Sequence, residues 1–222
     1  IVPGRLIEEL SADGLYSAVF ESEIPTLGIV LIAGPFVVNE RRHNKVMLRT
    51  YFSPELVDLS DAYLDSTAQY IDHFEELIGD YPFSSFNIVS GPLPVGLGFS
   101  GMTYMGESVL KLPFIRFTSL GHEVLHNWWG NGIEIDYRSG NWAEGLTTYM
   151  ADYSFVGKRD ADNAKRMRIE WLRDYAALPP RRDQAVRSFI SRRHDASQII
   201  GYNKVAFIFH MLSRKVGEQN FK

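Results

Sequence analysis

GHEVLHNWWGN, residues 121–131, places His122 and His126 four positions apart, with Glu123 directly after the first histidine. Positions i and i+4 lie on one face of an α-helix about one turn apart, so two imidazoles there can bind one metal ion. Glu123 is rotated by about 100° from His122 on such a helix, which suits a base acting on a metal-activated water better than a third ligand. The stretch therefore predicts a catalytic zinc helix.

A catalytic zinc ion of this kind needs a third protein ligand and an open fourth position. The extended pattern HExxHxxGxxH is not present, because Trp129 stands where its glycine would be. The next acidic residues along the chain are Glu134, Asp136 and Glu144. The first two follow the turn-forming residues 130–132, whereas Glu144 lies in NWAEGLTTYMADY, near the start of the next predicted helix. This context favours Glu144 as the third ligand, with Glu134 and Asp136 as the alternatives.

The composition excludes several classes of protein. A hydrophobic content of 45% in 222 residues allows a sizeable core. The net charge of -4 argues against a nucleic-acid-binding surface, so we expect no nucleic-acid partner. The absence of cysteine excludes a disulfide scaffold and any cysteine-ligated metal. No apolar run approaches the ~20 residues that span a bilayer, so we expect no membrane contact by this chain.

The order of predicted elements indicates an α+β fold. Short apolar runs bounded by Gly, Pro and Asn predict strands in the first 52 residues, and Ser53-Pro54 predicts the start of a long helix that ends at Gly79. The early strands are predicted at 15–20, 28–32 and 45–52; a strand at 85–90, a glycine-rich bend at 91–101 and a strand at 102–112 follow; helices are predicted at 115–129, 142–155, 161–177 and 202–216. Strands followed by helices are typical of an α+β catalytic domain.

HEVLHNWWGN followed by WAEGLTTYMADY resembles the gluzincin aminopeptidases, the membrane alanyl aminopeptidase family that includes leukotriene hydrolase. That family carries its third zinc ligand in an N-E-G-x-x-x-Y motif, which is matched here by Ala143-Glu144-Gly145 with Tyr149. The gap between His126 and Glu144 is one residue shorter than is usual in the family. The segments AGPF at 33–36 and YPF at 81–83 match further landmarks.

The resemblance implies a domain organisation and a set of partners. Residues 46–222 are expected to form a thermolysin-like zinc peptidase catalytic domain, a small mixed sheet plus a helical lobe. Residues 1–45 would be the end of an N-terminal β domain. The implied cofactor is one Zn²⁺ ion and the implied substrate is a peptide. The chain looks like a fragment of a longer protein, so the missing C-terminal part of the same polypeptide, a helical domain in the family, is an expected partner.

Two further positions follow from the resemblance. The family uses a tyrosine in a Y-x-K-G motif to stabilise the oxyanion, and Tyr202 matches it, with Val205 in the glycine position. The family also binds the free amino group of its substrate through a glutamate in a G-x-M-E-N motif. Gly98 falls at that position (Leu97 if the alignment slips by one), so neither residue offers a charge. The remaining histidines, which have no partner at metal spacing, are His43, His73, His194 and His210.

The leading hypothesis is therefore a zinc metallopeptidase in which His122, His126 and Glu144 bind zinc and Glu123 is the general base and then the general acid. Tyr202 would support the oxyanion. Amino-terminus recognition is expected to differ from that of an aminopeptidase because the acidic anchor is missing. The alternatives are a non-catalytic binding or scaffold module that retains the peptidase fold, and a zinc hydrolase that acts on a non-peptide bond.

Overall fold

The computed structural model describes residues 1–22, 24–25, 28–193 and 195–221, and the chain forms two compact units, Ile1–Asn127 and Trp128–Lys222. His194 lies outside the described residues. The domain boundary that the sequence places after residue 45 stays a prediction. Within the described part of the chain, no helix combines the length and the apolar character needed to cross a membrane.

The first unit is built around a five-stranded mixed sheet. The unit as a whole contains seven strands in its described residues: β1 (Arg5–Ala12), β2 (Leu15–Glu21), β3 (Val37–His43), β4 (Val46–Phe52), β5 (Ser85–Gly91), β6 (Gly96–Phe99) and β7 (Met102–Gly106). Strands β1 and β2 form a separate antiparallel hairpin. The main sheet has the order β3-β4-β5-β7-β6, parallel at its centre and antiparallel at both sides. Every residue of β5 and β7 is buried, whereas β6 is an exposed edge strand. The predicted α+β class and small mixed sheet are confirmed.

A long helix crosses from β4 to β5, as a parallel strand pair requires. It is α1 (Ser60–Ile78), preceded by the 3₁₀ turn Pro54–Leu59. Gly79, at a φ of 128°, ends it as predicted, because a residue without a Cβ adopts this backbone conformation without strain. The helix buries Leu64, Ile71 and Phe74 and packs against the sheet and against α3 (Ser119–Leu125).

Three local predictions in this unit are wrong. Residues 28–32 form no strand and pair with none of the described sheets, and Ile29 and Leu31 are largely exposed. The glycine-rich segment 91–101 is not only a bend, since it contains β6, which pairs with β7. Glu107 does not continue β7 but begins the short helix α2 (Glu107–Leu110), where an acidic side chain complements the helix dipole.

The second unit is mainly helical. Its elements are two short strands, β8 (Trp129–Gly130) and β9 (Ile133–Glu134), and the helices α4 (Ala143–Thr147), α5 (Ser154–Arg159), α6 (Ala161–Ala176), α7 (Asp195–Gln198), α8 (Val205–Val216) and α9 (Glu218–Phe221). The π-helical turn Thr148–Tyr153 joins α4 to α5, and the π-helical turn Ile199–Lys204 joins α7 to α8. Such turns are rare and are frequently found at functional sites.

Candidate metal centre

The two histidines of the opening motif lie on one side of α3. The predicted helix 115–129 is shorter in the structure, because the backbone of Thr118 (φ −134°, ψ −92°) separates a 3₁₀ turn from α3. The buried face of α3 consists of Leu120, Gly121, Val124 and Leu125. His126 follows the last residue of α3, but its amide still donates to the His122 carbonyl at 3.2 Å, so the i, i+4 relationship is kept.

The imidazoles are placed as one metal ion requires. The Nε2 atoms of His122 and His126 are 3.1 Å apart, and the ring planes meet at 75°. Two Zn–N bonds of roughly 2.0–2.1 Å at a tetrahedral angle would separate the nitrogens by about 3.3 Å. One donor atom each of His122, His126 and Glu144 lies within 4.8 Å of the other two. Two imidazoles and one glutamate are a donor set of catalytic zinc sites, so these residues fit the ion.

Glu144 is held at the beginning of α4 by a buried asparagine that the sequence reasoning missed. The Asn141 Oδ1 atom accepts from the amides of Ala143 at 3.1 Å and Glu144 at 3.4 Å, while its Nδ2 donates to the Ile190 carbonyl at 3.1 Å. The side chain of Thr148 donates to the Glu144 carbonyl at 2.8 Å. An asparagine close to the start of a helix is a recognised N-terminal signal, and Asn141, two residues before Ala143, could have been identified from it.

Glu123 lies against the glycine-rich edge strand β6. A Cβ atom placed on Gly96 would be 3.0 Å from its Oε1 atom, and one placed on Gly98 would be 3.1 Å from its Oε2 atom. The carboxylate therefore faces backbone, and no residue of β6 carries a charged side chain. This strand is the segment in which the sequence placed the missing amine anchor.

Tyr202, the candidate oxyanion donor, lies in the π-helical turn that precedes α8. Its ring packs edge-on against Phe189, with ring centroids 6.1 Å apart. A Cβ atom on Gly201 would overlap the Phe189 ring at 2.1 Å, so this turn needs glycine there. Two residues later, Lys204 donates to Tyr175 and Asp183, each at 3.0 Å, which anchors the turn. The catalytic role of Tyr202 stays a prediction.

Three other residues named from the sequence, Tyr149, His210 and His43, contact aromatic or charged side chains. Tyr149 stacks on Tyr153, with ring centroids 5.5 Å apart, and burial raises the pKa of its hydroxyl. His210 contacts both rings, and its pKa is lowered, mainly by burial. His43 pairs with Asp72 at 2.6 Å on the surface of the first unit.

Asn127 is a second buried polar residue next to the candidate metal centre. Its side chain is fully buried directly after the second histidine. The Oδ1 atom accepts from the Gly101 amide at 2.8 Å, and the Nδ2 atom donates to the carbonyls of Glu123 at 3.2 Å and Val124 at 3.1 Å. Asn127 therefore ties the end of α3 to the turn between β6 and β7.

Comparison with solved structures identifies the fold of this chain. The chain superposes on the M1 zinc metallopeptidase of Deinococcus radiodurans with a TM-score of 0.71 and 20% identity, over 100% of this chain and 51% of that one. A variant of that enzyme bound to a Tyr-Ser-Ala substrate gives a TM-score of 0.71, 20% identity and coverage of 100% and 50%. Native yeast LTA4 hydrolase gives 0.70 at 16% identity, over 98% of this chain and 36% of that chain. The fold is that of the M1 zinc metallopeptidases.

Sequence comparison points in the same direction. The mouse protein named aminopeptidase RNPEPL1 is 27% identical over 146 residues, which cover 62% of this chain and 19% of the mouse protein. No family model matches the chain. The chain thus spans about half the length of the Deinococcus structures and a smaller share of the mouse protein. The resemblance to the gluzincin aminopeptidases is confirmed at the level of the fold.

Proposed function

We propose that this chain carries the catalytic centre of a zinc-dependent peptidase. The proposal rests on one observation: donor atoms of His122, His126 and Glu144 lie within 4.8 Å of one another. Glu123 directly follows the first of these residues in an HExxH motif. The likeness to zinc metallopeptidases and to a protein named as an aminopeptidase supports the same assignment. His122, His126 and Glu144 would hold one ion.

Each residue of the proposed site has a separate role in hydrolysis. Zinc, when bound, acts as a Lewis acid on the peptide carbonyl and lowers the pKa of water. The Glu123 carboxylate takes a proton as the water oxygen bonds to the carbonyl carbon, and it delivers that proton to the amine nitrogen as the C–N bond breaks. Tyr202 is proposed to donate a hydrogen bond to the carbonyl oxygen as negative charge develops there.

We further propose that the substrate is held in an aminopeptidase-like cleft with altered recognition of its amino terminus. The support is the sequence of β6, Gly96-Leu97-Gly98-Phe99, which presents no carboxylate to a substrate ammonium group. Main-chain groups of an edge strand bind an extended peptide regardless of the charge at its end. Residues of the same polypeptide beyond this chain are proposed to complete the cleft.

The proposal is tested by Glu123→Gln, with Glu76→Gln on the exposed face of α1 as the matched control. Loss of the general base should lower kcat by about 10²–10⁴-fold while bound zinc is retained. The control should behave like the wild type. If the zinc-loaded wild type cleaves no peptide in a broad library, the scaffold alternative replaces the peptidase.

Altered amino-terminus recognition is tested separately with paired peptides that differ only in acetylation of the amino terminus. We expect kcat/KM for the two members of a pair to agree within about 10-fold, because no charged anchor on β6 distinguishes them. A preference of about 10⁴-fold for the free amine, the scale of a lost buried polar contact, would restore the ordinary aminopeptidase assignment.

A further inference from the structure

The edge strand β6 approaches Glu123 so closely that a side chain on its glycines would push the carboxylate away by a few tenths of an ångström. At Gly96 and Gly98 an added Cβ atom would lie 3.0 and 3.1 Å from the two carboxylate oxygens. The added atom at Gly98 would also lie 3.8 Å from the Cβ atom of His126. The distance between strand and carboxylate is therefore a specific feature of the site, and something must fix it, because β6 itself is exposed.

The end of β6 is fixed through the peptide groups of Gly101. Two buried asparagines bind this residue, one at its amide and the other at its carbonyl. Asn127 accepts from the Gly101 amide at 2.8 Å. Asn87, on the central strand β5, donates to the Gly101 carbonyl through its backbone amide at 2.9 Å and its side chain at 3.2 Å. Gly101 has a φ of 66°, and a Cβ atom there would lie 2.8 Å from the Ser85 carbonyl oxygen, so the turn admits only glycine.

The beginning of β6 is fixed by a tyrosine of the neighbouring strand. The Tyr104 hydroxyl accepts from the Leu93 amide at 2.6 Å and donates to the Leu93 carbonyl at 3.2 Å. The Gly106 amide donates to the Val95 carbonyl at 3.0 Å, just before β6 starts. Both ends of the exposed strand are thus tied to buried β7 and its surroundings.

We infer that Asn127 and Asn87 are positioning residues, which hold β6 so close to Glu123 that a side chain at Gly96 or Gly98 would displace the carboxylate. The inference rests on the proposed function, since it assigns the held carboxylate to the reaction. Asn127 links three parts of the site: the carbonyl of Glu123, the end of α3 and the turn that ends β6. Neither asparagine contacts a reacting atom; both act through the strand and the carboxylate.

The test uses Asn127→Leu and Asn87→Val in the zinc-loaded full chain. We expect kcat for a peptide substrate to fall by about 10- to 100-fold with KM changed by less than about 3-fold, since a displacement of about 1 Å costs this much. Zinc should stay at one ion per chain. Hydrogen exchange at amides 96–101 should accelerate by about 10-fold in both variants, because each removes a side-chain hydrogen bond to Gly101, although the backbone bond from residue 87 remains.

The control is Leu56→Val, a core substitution in the 3₁₀ turn before α1, which lowers stability without touching β6. It should leave kcat and the exchange of residues 96–101 unchanged. Because Asn87 is not adjacent to a zinc ligand in sequence, an equal effect of both asparagine variants argues against indirect damage at His126. Gly98→Ala provides an independent arm, with the same expected fall in kcat and with zinc retained.

Unchanged exchange at residues 96–101 in both asparagine variants would overturn the inference, and so would faster exchange with wild-type kcat. A wild-type protein that binds zinc and cleaves nothing would instead contradict the proposed function, and the exchange measurement would still decide whether the asparagines fix the strand.

Discussion

Gly145 lies directly against Val205: a Cβ atom placed on Gly145 would be 2.3 Å from both Cβ and Cγ1 of Val205. The same atom would be 3.0 Å from the Gly201 carbonyl oxygen. Helices α4 and α8 therefore touch at the residue that follows Glu144. Val205 also occupies the position at which the resembling family carries glycine, so the small residue of this helix pair is on α4.

Gly145→Ala should destabilise the protein by about 1–3 kcal/mol, because an added methyl group in a packed contact forces backbone shifts. Val205→Ala in the same chain should recover part of the loss, since it removes Cγ1, one of the two overlapping atoms, and leaves Cβ in place. Urea unfolding of the two single variants and the double variant gives the interaction energy. Strictly additive changes would show that the two residues do not share this contact.

Tyr202→Phe tests the proposed oxyanion donor. Loss of a hydrogen bond made only as charge develops should lower kcat by about 10²–10³-fold and leave KM nearly unchanged. Tyr137→Phe, at an exposed tyrosine of the same unit, is the matched control and should have wild-type kinetics. A rise in KM of about 10²–10³-fold with no change in kcat would assign Tyr202 to substrate binding instead.

His210 gives the stability of the second unit a predictable pH dependence. Burial, with Arg168 and Arg214 nearby, lowers its pKa below 6.5, so the unfolded chain binds a proton that the folded chain rejects. Its contribution to stability is present above about pH 6.5 and is lost as the pH falls through the folded pKa. His210→Phe should reduce the slope of the unfolding free energy against pH between about pH 7.5 and about pH 5. An identical slope in the variant would count against this origin.

The features that the sequence predicted well depend on neighbouring residues. The spacing of His122 and His126 needs only one helical turn, and the end of α1 needs only Gly79. Glu144 was favoured from its motif, and its donor atom lies within 4.8 Å of those of the two histidines, while its role as the third ligand stays a prediction. The π-helical turn Thr148–Tyr153 falls inside the predicted helix 142–155, because the periodicities of α and π turns differ too little to be separated in a short segment. The turn Ile199–Lys204 overlaps only the first three residues of the predicted helix 202–216.

The features that were missed depend on residues distant in sequence. Strand β6 forms because β7 supplies its hydrogen bonds. The sequence Gly-Leu-Gly-Phe has little strand propensity of its own, so it does not predict this pairing. The roles of Asn87 and Asn127 arise from Gly101, which lies 14 and 26 residues away from them. The segment 28–32 has the apolar content of a strand but no partner in the described sheets.

The central claim is that three side chains hold one zinc ion. Glu144→Gln removes the proposed carboxylate ligand, and Glu134→Gln removes the carboxylate that the sequence left as an alternative, on exposed β9. Loss of one ligand from a three-ligand site typically costs far more affinity than loss of an outer-shell partner, which costs about 10–100-fold. The two variants are therefore a matched pair at the same change in charge.

The most direct measurement is the zinc content of the wild type, His126→Ala, Glu144→Gln and Glu134→Gln after dialysis against a weak chelator. We predict one zinc ion per chain in the wild type and in Glu134→Gln, and little or none in His126→Ala and Glu144→Gln. Zinc retained in Glu144→Gln but lost in Glu134→Gln, or a wild type that binds no zinc, would contradict the account.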